Sequence, residues 1–191
     1  MPFASRNVWQ GLALVAMLGF AWSVGAEVPA ANKERTMAFS VTSPAFQESE
    51  GIPSQYTCDG QNVSPALQWT PPPPGTKSLA LISDDSDAPG GVWVHWVVYN
   101  LPPSEPALHE AFPPDDELPD GTRQGLTDFG RTGYGGPCPP DGTHRYVFTL
   151  YALDTLLALP PRATAKALKQ AMAGHVVAQA QLMGTYRRRS H

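Results

Sequence analysis

Acidic residues and a histidine stand close together in the stretch "SDDSDAPGGVWVHW" (83–96). Asp84, Asp85 and Asp87 crowd its first half, and His95 lies within the run of large apolar residues that follows. Such an Asp- and Pro-containing segment is ordinarily only a turn, and a single histidine on an apolar strand is commonly a buried core residue. The same residue types would form a binding site if the fold aimed them at one pocket.

A second histidine occupies a comparable position. His144 follows the segment "YGGPCPPDGT" (134–143) and begins another apolar-aromatic run, much as His95 follows its acidic turn. If the two strands are neighbours in one sheet, both loops and both histidines converge at one end of it. The acidic turn and His95 are then two walls of one pocket.

Two chemistries fit this set of side chains. Two imidazoles and a carboxylate could hold a first-row metal ion, but the sequence has no H-x-x-x-H or H-E-x-x-H motif, and Asp85 and His95 have no standard ligand spacing. Alternatively, His95 and His144 donate hydrogen bonds to an anion, while Asp85 orients an imidazole and raises its pKa. Glycine-rich turns can add backbone N–H donors. We expect no metal and no other cofactor.

Catalytic motifs are missing from the sequence. There is no G-x-S-x-G nucleophile elbow, no phosphate-binding P-loop and no dinucleotide fingerprint. Cys138 stands between prolines and not at a helix start that would activate its thiolate. These observations predict that the protein is not an enzyme.

The two histidines must be positioned by β-strands. The run 92–100 is apolar on both faces, which is typical of a strand covered on both sides. Alternation along it puts Trp93, His95, Val97 and Tyr99 on one face. Further strands are predicted at 37–42, 66–69, 78–83 and 144–154.

The end of the chain changes its hydrophobic period from 2 to 3.6. Residues 164–174 and 175–184 each place apolar side chains at helical spacing, and Gly174 and Gly184 stand where helix C-caps are expected. These patterns predict two short helices. Several strands followed by a small helical hairpin favour a mostly β sandwich with helices docked at one side.

The N-terminus has the pattern of a secretory signal peptide. An apolar run, "GLALVAMLGFAW", is followed by Val24 and Ala26 at the −3 and −1 positions of an A-x-A-like cleavage site. We predict a signal peptide over 1–26, a flexible linker over 27–36 and one domain over 37–191. The protein should therefore be periplasmic or secreted, and retention of the apolar run as an anchor stays open.

Export and charge together limit the function classes. An even pair of cysteines, Cys58 and Cys138, in an exported protein favours one disulfide, with two buried thiols as the alternative. The chain carries 13 basic and 17 acidic side chains, a net charge of −4. This balance argues against nucleic acid and anionic membranes as the main partners.

Five motifs stand in order along the chain: "YTCDGQNVSPALQW" (56–69), "DSDAP" (85–89), "WVHW" (93–96), "GGPCPPDGTHRYVF" (135–148) and "GTY" (184–186). They resemble the phosphatidylethanolamine-binding proteins, most closely the bacterial Raf kinase inhibitor-like branch. The resemblance covers about residues 37–187. The chain departs from the family's turn motif at Ser86, where the family usually carries proline.

The resemblance implies both a fold and a site. The fold is a sandwich of two antiparallel sheets with short C-terminal helices, and the site is a small pocket for phosphate or a phosphorylated headgroup. The positions that match the family's pocket motifs are Asp85, His95 and His144, with Tyr134, Pro139 and Tyr146 as wall or rim residues.

Three functions compete at this point. The leading hypothesis is an exported, non-catalytic binding protein for a small anionic or phosphorylated ligand. A second is a protein-interaction module, such as a protease inhibitor or a host-directed modulator, which acts through the long irregular segment 102–131; a homodimer is also open. A third is a metal-dependent hydrolase that uses Asp85, His95 and His144.

Overall fold

The computed structural model describes residues 38–188. The predicted signal peptide (1–26) and linker (27–36) lie outside the described residues. Within the described part of the chain, no helix is both long enough and apolar enough to span a bilayer.

Residues 38–188 form two antiparallel sheets, as expected. The strands are β1 (Val41–Thr42), β2 (Leu67–Trp69), β3 (Ser78–Asp85), β4 (Trp93–Leu101), β5 (Ala107–Leu108), β6 (Arg123–Gln124), β7 (His144–Leu153) and β8 (Val176–Tyr186). The smaller sheet has the strand order β1-β2-β5, and the larger has the order β6-β4-β3-β7-β8. A short 3-10 helix covers Ser54–Tyr56, and one α-helix, α1, covers Ala165–Met172.

Two hydrophobic clusters explain why β3 and β4 are apolar on both faces. One cluster lies between the sheets, where Leu67 of β2 packs with Val98 and Phe148 of the larger sheet. The other lies on the outer face of the larger sheet, where Val97 and Tyr99 pack beneath α1. A strand covered on both sides needs apolar residues at consecutive positions.

The predicted helix over 164–174 is present as α1. Thr164 caps it, because its hydroxyl accepts a hydrogen bond from the Ala167 N–H at 3.2 Å. Leu168 and Met172 are buried against the outer face of the larger sheet. The chain leaves the helix through Gly174, whose φ of 82° lies in the left-handed region.

The second predicted C-terminal helix is wrong, because residues 176–186 form strand β8. The apolar positions also fit a period of two, and Ala180 and Leu182 are buried on the inner face. Pairing with the whole length of β7 decides the conformation, since tertiary context overrides a weak local preference. Gly184 is not a helix cap; a β-carbon there would lie 2.6 Å from the Ile52 side chain.

A β-bulge at His95 changes the face on which this side chain lies. Along the β3–β4 ladder, Ser83 pairs with Trp96 and Asp84 pairs with Val94, so His95 has no partner in the ladder. The predicted grouping of His95 with Val97 and Tyr99 is therefore wrong. Those two residues pack under α1, whereas the His95 ring packs on Tyr146 of β7. Bulges are found next to functional sites, where they redirect a side chain.

The packing of α1 gives a direct test of the outer core. Leu168→Ala should lower the free energy of unfolding by about 2–5 kcal/mol, because this fully buried side chain would leave a cavity. Lys166→Ala, on the exposed face of the same helix, should change it by less than about 0.5 kcal/mol. Urea unfolding of both variants measures the difference, and equal stabilities would contradict this packing.

Candidate anion-binding pocket

A cavity of about 300 Å³ opens at the end of the larger sheet where β3 finishes and β4 and β7 begin. Because β3 pairs with both β4 and β7, the two loop–strand junctions of the sequence meet there. The residues that line the cavity are Asp85, Ala88, Pro89, Trp93, His95, Phe129, Cys138, Pro139, Pro140 and His144. Four of the six predicted site residues are in this set.

Asp85 and His144 form a buried pair at the base of the cavity. The Nδ1–H of His144 donates to Asp85 Oδ2 at 2.7 Å. The second carboxylate oxygen, Oδ1, accepts the Asp87 N–H at 2.8 Å. Asp85 therefore orients the imidazole and closes the turn with its two oxygens, and Nδ1 of His144 is committed to the pair.

His95 meets a backbone carbonyl in place of a carboxylate. Its Nδ1 lies 2.6 Å from the Gly135 oxygen, and since a carbonyl can only accept, Nδ1 carries the proton. Burial lowers the pKa of His95 more than Gly135 and the Asp85 charge raise it. The neighbouring carboxylate acts in the expected direction, but burial outweighs it, so the pKa of this histidine is lowered overall. In the neutral ring, Nε2 is an acceptor and not a donor.

The acidic turn is held in place from β7. Arg145 donates three hydrogen bonds to the Asp87 carboxylate, from its backbone N–H, Nε and Nη2, at 2.9, 2.8 and 2.6 Å. These contacts lower the pKa of Asp87 to about 2. Arg145 stands next to His144 in the sequence, so one strand end supplies both an imidazole to the cavity and a guanidinium to the turn.

The opposite wall is a loop tied down by a disulfide. Cys58 and Cys138 are bonded, with their Cα atoms 5.4 Å apart, as the cysteine count predicted. Hydrogen bonds also hold the loop up to residue 137, from Cys58 N–H to the Pro137 oxygen and from Gly136 N–H to Asn62 Oδ1. Residues 139–143 make no hydrogen bond to any described residue. The disulfide is thus the last anchor before Pro139 and Pro140.

The two predicted tyrosines have different positions. The Tyr146 ring meets the His95 ring edge to face, with centroids 5.1 Å apart. Its hydroxyl is buried without a hydrogen bond to any described residue, and burial, followed by the Asp85 charge, raises the pKa of Tyr146. Tyr134 does not line the cavity. It lies in the core against Trp96 and donates its hydroxyl proton to the Tyr56 carbonyl.

Two aromatic residues at the mouth were not predicted as site residues. Phe129 lies 5.2 Å from the His95 ring, and Trp93 lies 5.6 Å from Phe129, both edge to face. About 40% of each residue is exposed. Gly135 allows this arrangement, because a β-carbon there would lie 2.3 Å from the Phe129 ring. Phe129 lies in an irregular segment, so no periodic pattern could have indicated it.

Metal binding is not favoured by this geometry. Residues 38–188 contain no group of three His, Cys, Asp or Glu side chains arranged to hold a metal ion. Both oxygens of Asp85 already accept hydrogen bonds, and Nδ1 of each cavity histidine donates one. With Nδ1 committed in both rings, each ring offers a ligand its Nε2, which donates a hydrogen bond to an anion when the ring is protonated.

Comparison with known proteins agrees with this architecture. The sequence model of the phosphatidylethanolamine-binding protein family matches residues 42–187. The chain belongs to this family. An UPF0098 protein of Methanothermobacter thermautotrophicus is 55% identical over 144 residues, which are 75% of this chain and 95% of that protein. A protein of Mycobacterium tuberculosis named putative lipoprotein LppC is 42% identical over 168 residues, covering 87% of this chain and 79% of its own length.

Solved structures of similar proteins share the fold. A putative phosphatidylethanolamine-binding protein homologue from Chlamydia trachomatis superposes with a TM-score of 0.74 at 42% identity, covering 80% of this chain and 99% of its own. Escherichia coli YbcL, described as a member of the mammalian family, gives a TM-score of 0.74 at 34% identity, covering 79% and 99%.

Removal of the disulfide should affect stability and the cavity together. The double variant Cys58→Ser, Cys138→Ser opens a link between residues 80 positions apart, for which chain entropy sets a ceiling of about 4–5 kcal/mol on the loss of stability. Pro139 and Pro140 line the cavity, so their release should also weaken the binding of a probe anion, such as sulfate, in the cavity. Urea unfolding and calorimetric titration measure the two effects, and an unchanged sulfate affinity would show that the wall does not depend on the disulfide.

The contact between Asp87 and Arg145 should appear in the acid unfolding profile. The folded pKa of Asp87, about 2, lies below its ordinary value of about 3.9. Its contribution to stability is therefore present above about pH 4 and lost as the pH falls toward about 2. Asp87→Asn should remove this component, whereas Glu117→Gln, in the exposed pair with Arg123, should have little effect. Urea midpoints measured across this range would refute the contact if both variants behaved alike.

Proposed function

We propose that the protein is an exported, non-catalytic binding protein whose cavity takes a small anion or the phosphorylated headgroup of a larger ligand. The observation that carries this proposal is the commitment of both histidines through Nδ1, one to a carboxylate and one to a carbonyl. Each ring then has only Nε2 left for a ligand. When the rings are protonated, both Nε2–H groups are donors with no acceptor among residues 38–188.

Binding of an anion to His95 should require uptake of a proton. The buried ring has a lowered pKa and is neutral in the empty cavity, so its Nε2 cannot donate. An anion favours the charged ring, because a charge-assisted hydrogen bond contributes about 1.5–3 kcal/mol. Affinity should therefore rise as the pH falls, until His95 is protonated even without a ligand.

The shape of the cavity indicates what else a ligand carries. A volume of about 300 Å³ is at the lower end for small-molecule sites, and the polar side chains lie at its base. Alanine and proline side chains form the walls, and Trp93 and Phe129 form the mouth. A compact anionic head would fit inside, with any apolar part of the ligand against the two aromatic rings.

Export is supported by two independent features. A disulfide such as Cys58–Cys138 persists in oxidising compartments and is rare in the cytosol. A similar mycobacterial protein bears the name of a putative lipoprotein, which is an exported class. Both agree with the signal peptide predicted for residues 1–26.

Sulfate is the probe of choice for the cavity, because its charge stays constant over the pH range of histidine titration. Calorimetric titration should show sulfate affinity falling by about tenfold per pH unit above the pKa of His95 for each proton taken up. Repeating the titration in buffers of different ionisation enthalpy counts the protons. Equal affinity at about pH 6 and about pH 8 would overturn the proposal.

Two conservative variants separate the roles of the histidines. His95→Gln keeps a neutral donor, so sulfate should bind more weakly and without the proton uptake assigned to His95. His144→Gln keeps a donor near Asp85, whereas His144→Ala would leave a buried carboxylate without this partner and could unfold the protein. Loss of about tenfold in affinity or more is expected in each, at about 1.4 kcal/mol per decade. Hydrolysis of an aryl phosphate by the wild-type protein would contradict the proposal that the protein is non-catalytic.

A further inference from the structure

A second cleft of about 300 Å³ shares no lining residue with the cavity already described. Its lining residues are Asn62, Val63, Ser64, Ala111, Phe112, Pro114, Arg131 and Tyr134. None of them is an aspartate or glutamate, although the chain as a whole carries a net charge of −4. The one formal charge in the lining is the guanidinium of Arg131.

Arg131 differs from the arginines that the structure shows in ion pairs. Arg123, Arg145, Arg162 and Arg188 each lie within 4 Å of a carboxylate. Arg131 makes no ion pair with any residue in 38–188. It donates one hydrogen bond, from Nη1 to the Thr132 carbonyl at 3.3 Å, and lies over the Phe129 ring at 5.9 Å. Most of its donors remain available to an oxyanion.

A buried hydroxyl supplies a second donor in the cleft. Ser64 is 2% exposed, and its Oγ accepts the Phe112 N–H at 2.8 Å. The hydroxyl proton has no acceptor among the described residues. A buried polar hydrogen without a partner costs free energy, so this proton is better satisfied when an acceptor enters the cleft.

Asn62 supplies a third donor, and its orientation is determined by a contact. Its Oδ1 accepts the Gly136 N–H at 2.7 Å, so the amide nitrogen is directed elsewhere and donates to no described residue. Ala111, at the rim, has a φ of 54°, a strained conformation for alanine of the kind that clusters at binding sites. Its N–H donates to the Ser64 carbonyl.

We propose that this cleft binds a small monocarboxylate with a short apolar substituent. One guanidinium and two neutral donors match a single negative charge, and a guanidinium can hold both carboxylate oxygens at once. Val63, Phe112 and Pro114 provide apolar contact for the substituent.

Amide NMR on the chain without its predicted signal peptide (residues 27–191) tests the site residue by residue. Titration with butyrate should shift the backbone resonances of Val63, Ser64 and Phe112 saturably. Acetate should shift the same resonances with severalfold lower affinity, because it buries less apolar surface. Sulfate should instead shift residues around His144 in the first cavity.

Matched variants separate the charge from the fold. Arg131→Gln should weaken butyrate binding by about tenfold or more, since it removes a charge-assisted contact. Arg131→Lys, which keeps the charge, should retain part of the affinity. Arg187→Gln removes the same charge from an exposed position elsewhere and should have no effect. The proposal is overturned if butyrate causes no saturable shifts at the cleft, or if Arg131→Gln, still folded by its spectrum, binds butyrate as the wild type does.

Discussion

The contact between Asp85 and His144 is the one on which the first cavity depends. A buried carboxylate is costly unless it is paired and hydrogen-bonded. Asp85 is 4% exposed, and its two oxygens are satisfied by His144 from β7 and by the Asp87 N–H of its own turn. Because β3 lies between β4 and β7, this carboxylate also influences His95. One side chain thus links two strands, the acidic turn and both imidazoles.

The remaining contacts hold the walls around that pair. Arg145 fixes the acidic turn through Asp87, and the Cys58–Cys138 disulfide fixes the opposite loop. The polar base lies at the ends of central strands, which position side chains more accurately than loops do. Apolar wall residues are carried by the loops, where small displacements change the fit without changing the hydrogen bonds at the base. Changes in the loops can therefore alter the apolar walls while the Asp85–His144 pair at the base stays in place.

The two histidines have different environments. His144 donates to a carboxylate, whose charge can compensate a protonated ring. His95 donates to a neutral carbonyl in a buried position, and its pKa is lowered. Under the proposed function, the cavity gains part of its positive charge only when an anion binds and His95 takes up a proton. Environments that separate the behaviour of two titratable groups are a common way of tuning a site.

Much of the fold follows from local sequence patterns. The strands over 92–100 and 144–154 and the helix over 164–174 were predicted, because side-chain periodicity reports directly on which faces are covered. The disulfide was predicted from an even pair of cysteines in an exported chain, and the two histidines were singled out by their positions at loop–strand junctions. Tertiary structure alone decided that β8 is a strand, because its pairing with β7 outweighs a helical pattern. It likewise decided the position of Phe129, which is far from His95 in the sequence.

The bulge at His95 and the pKa of the same residue show most clearly what local sequence patterns cannot predict. Alternation along β4 placed His95 with Val97, but a shift in the pairing with β3 moved it to the inner face. The nearby aspartates predicted a raised pKa, but burial lowered it. Local sequence determines periodicity and turn chemistry, which act over a few residues. Strand register, burial and electrostatics depend on residues that are distant in the chain. Only the folded structure brings those residues together.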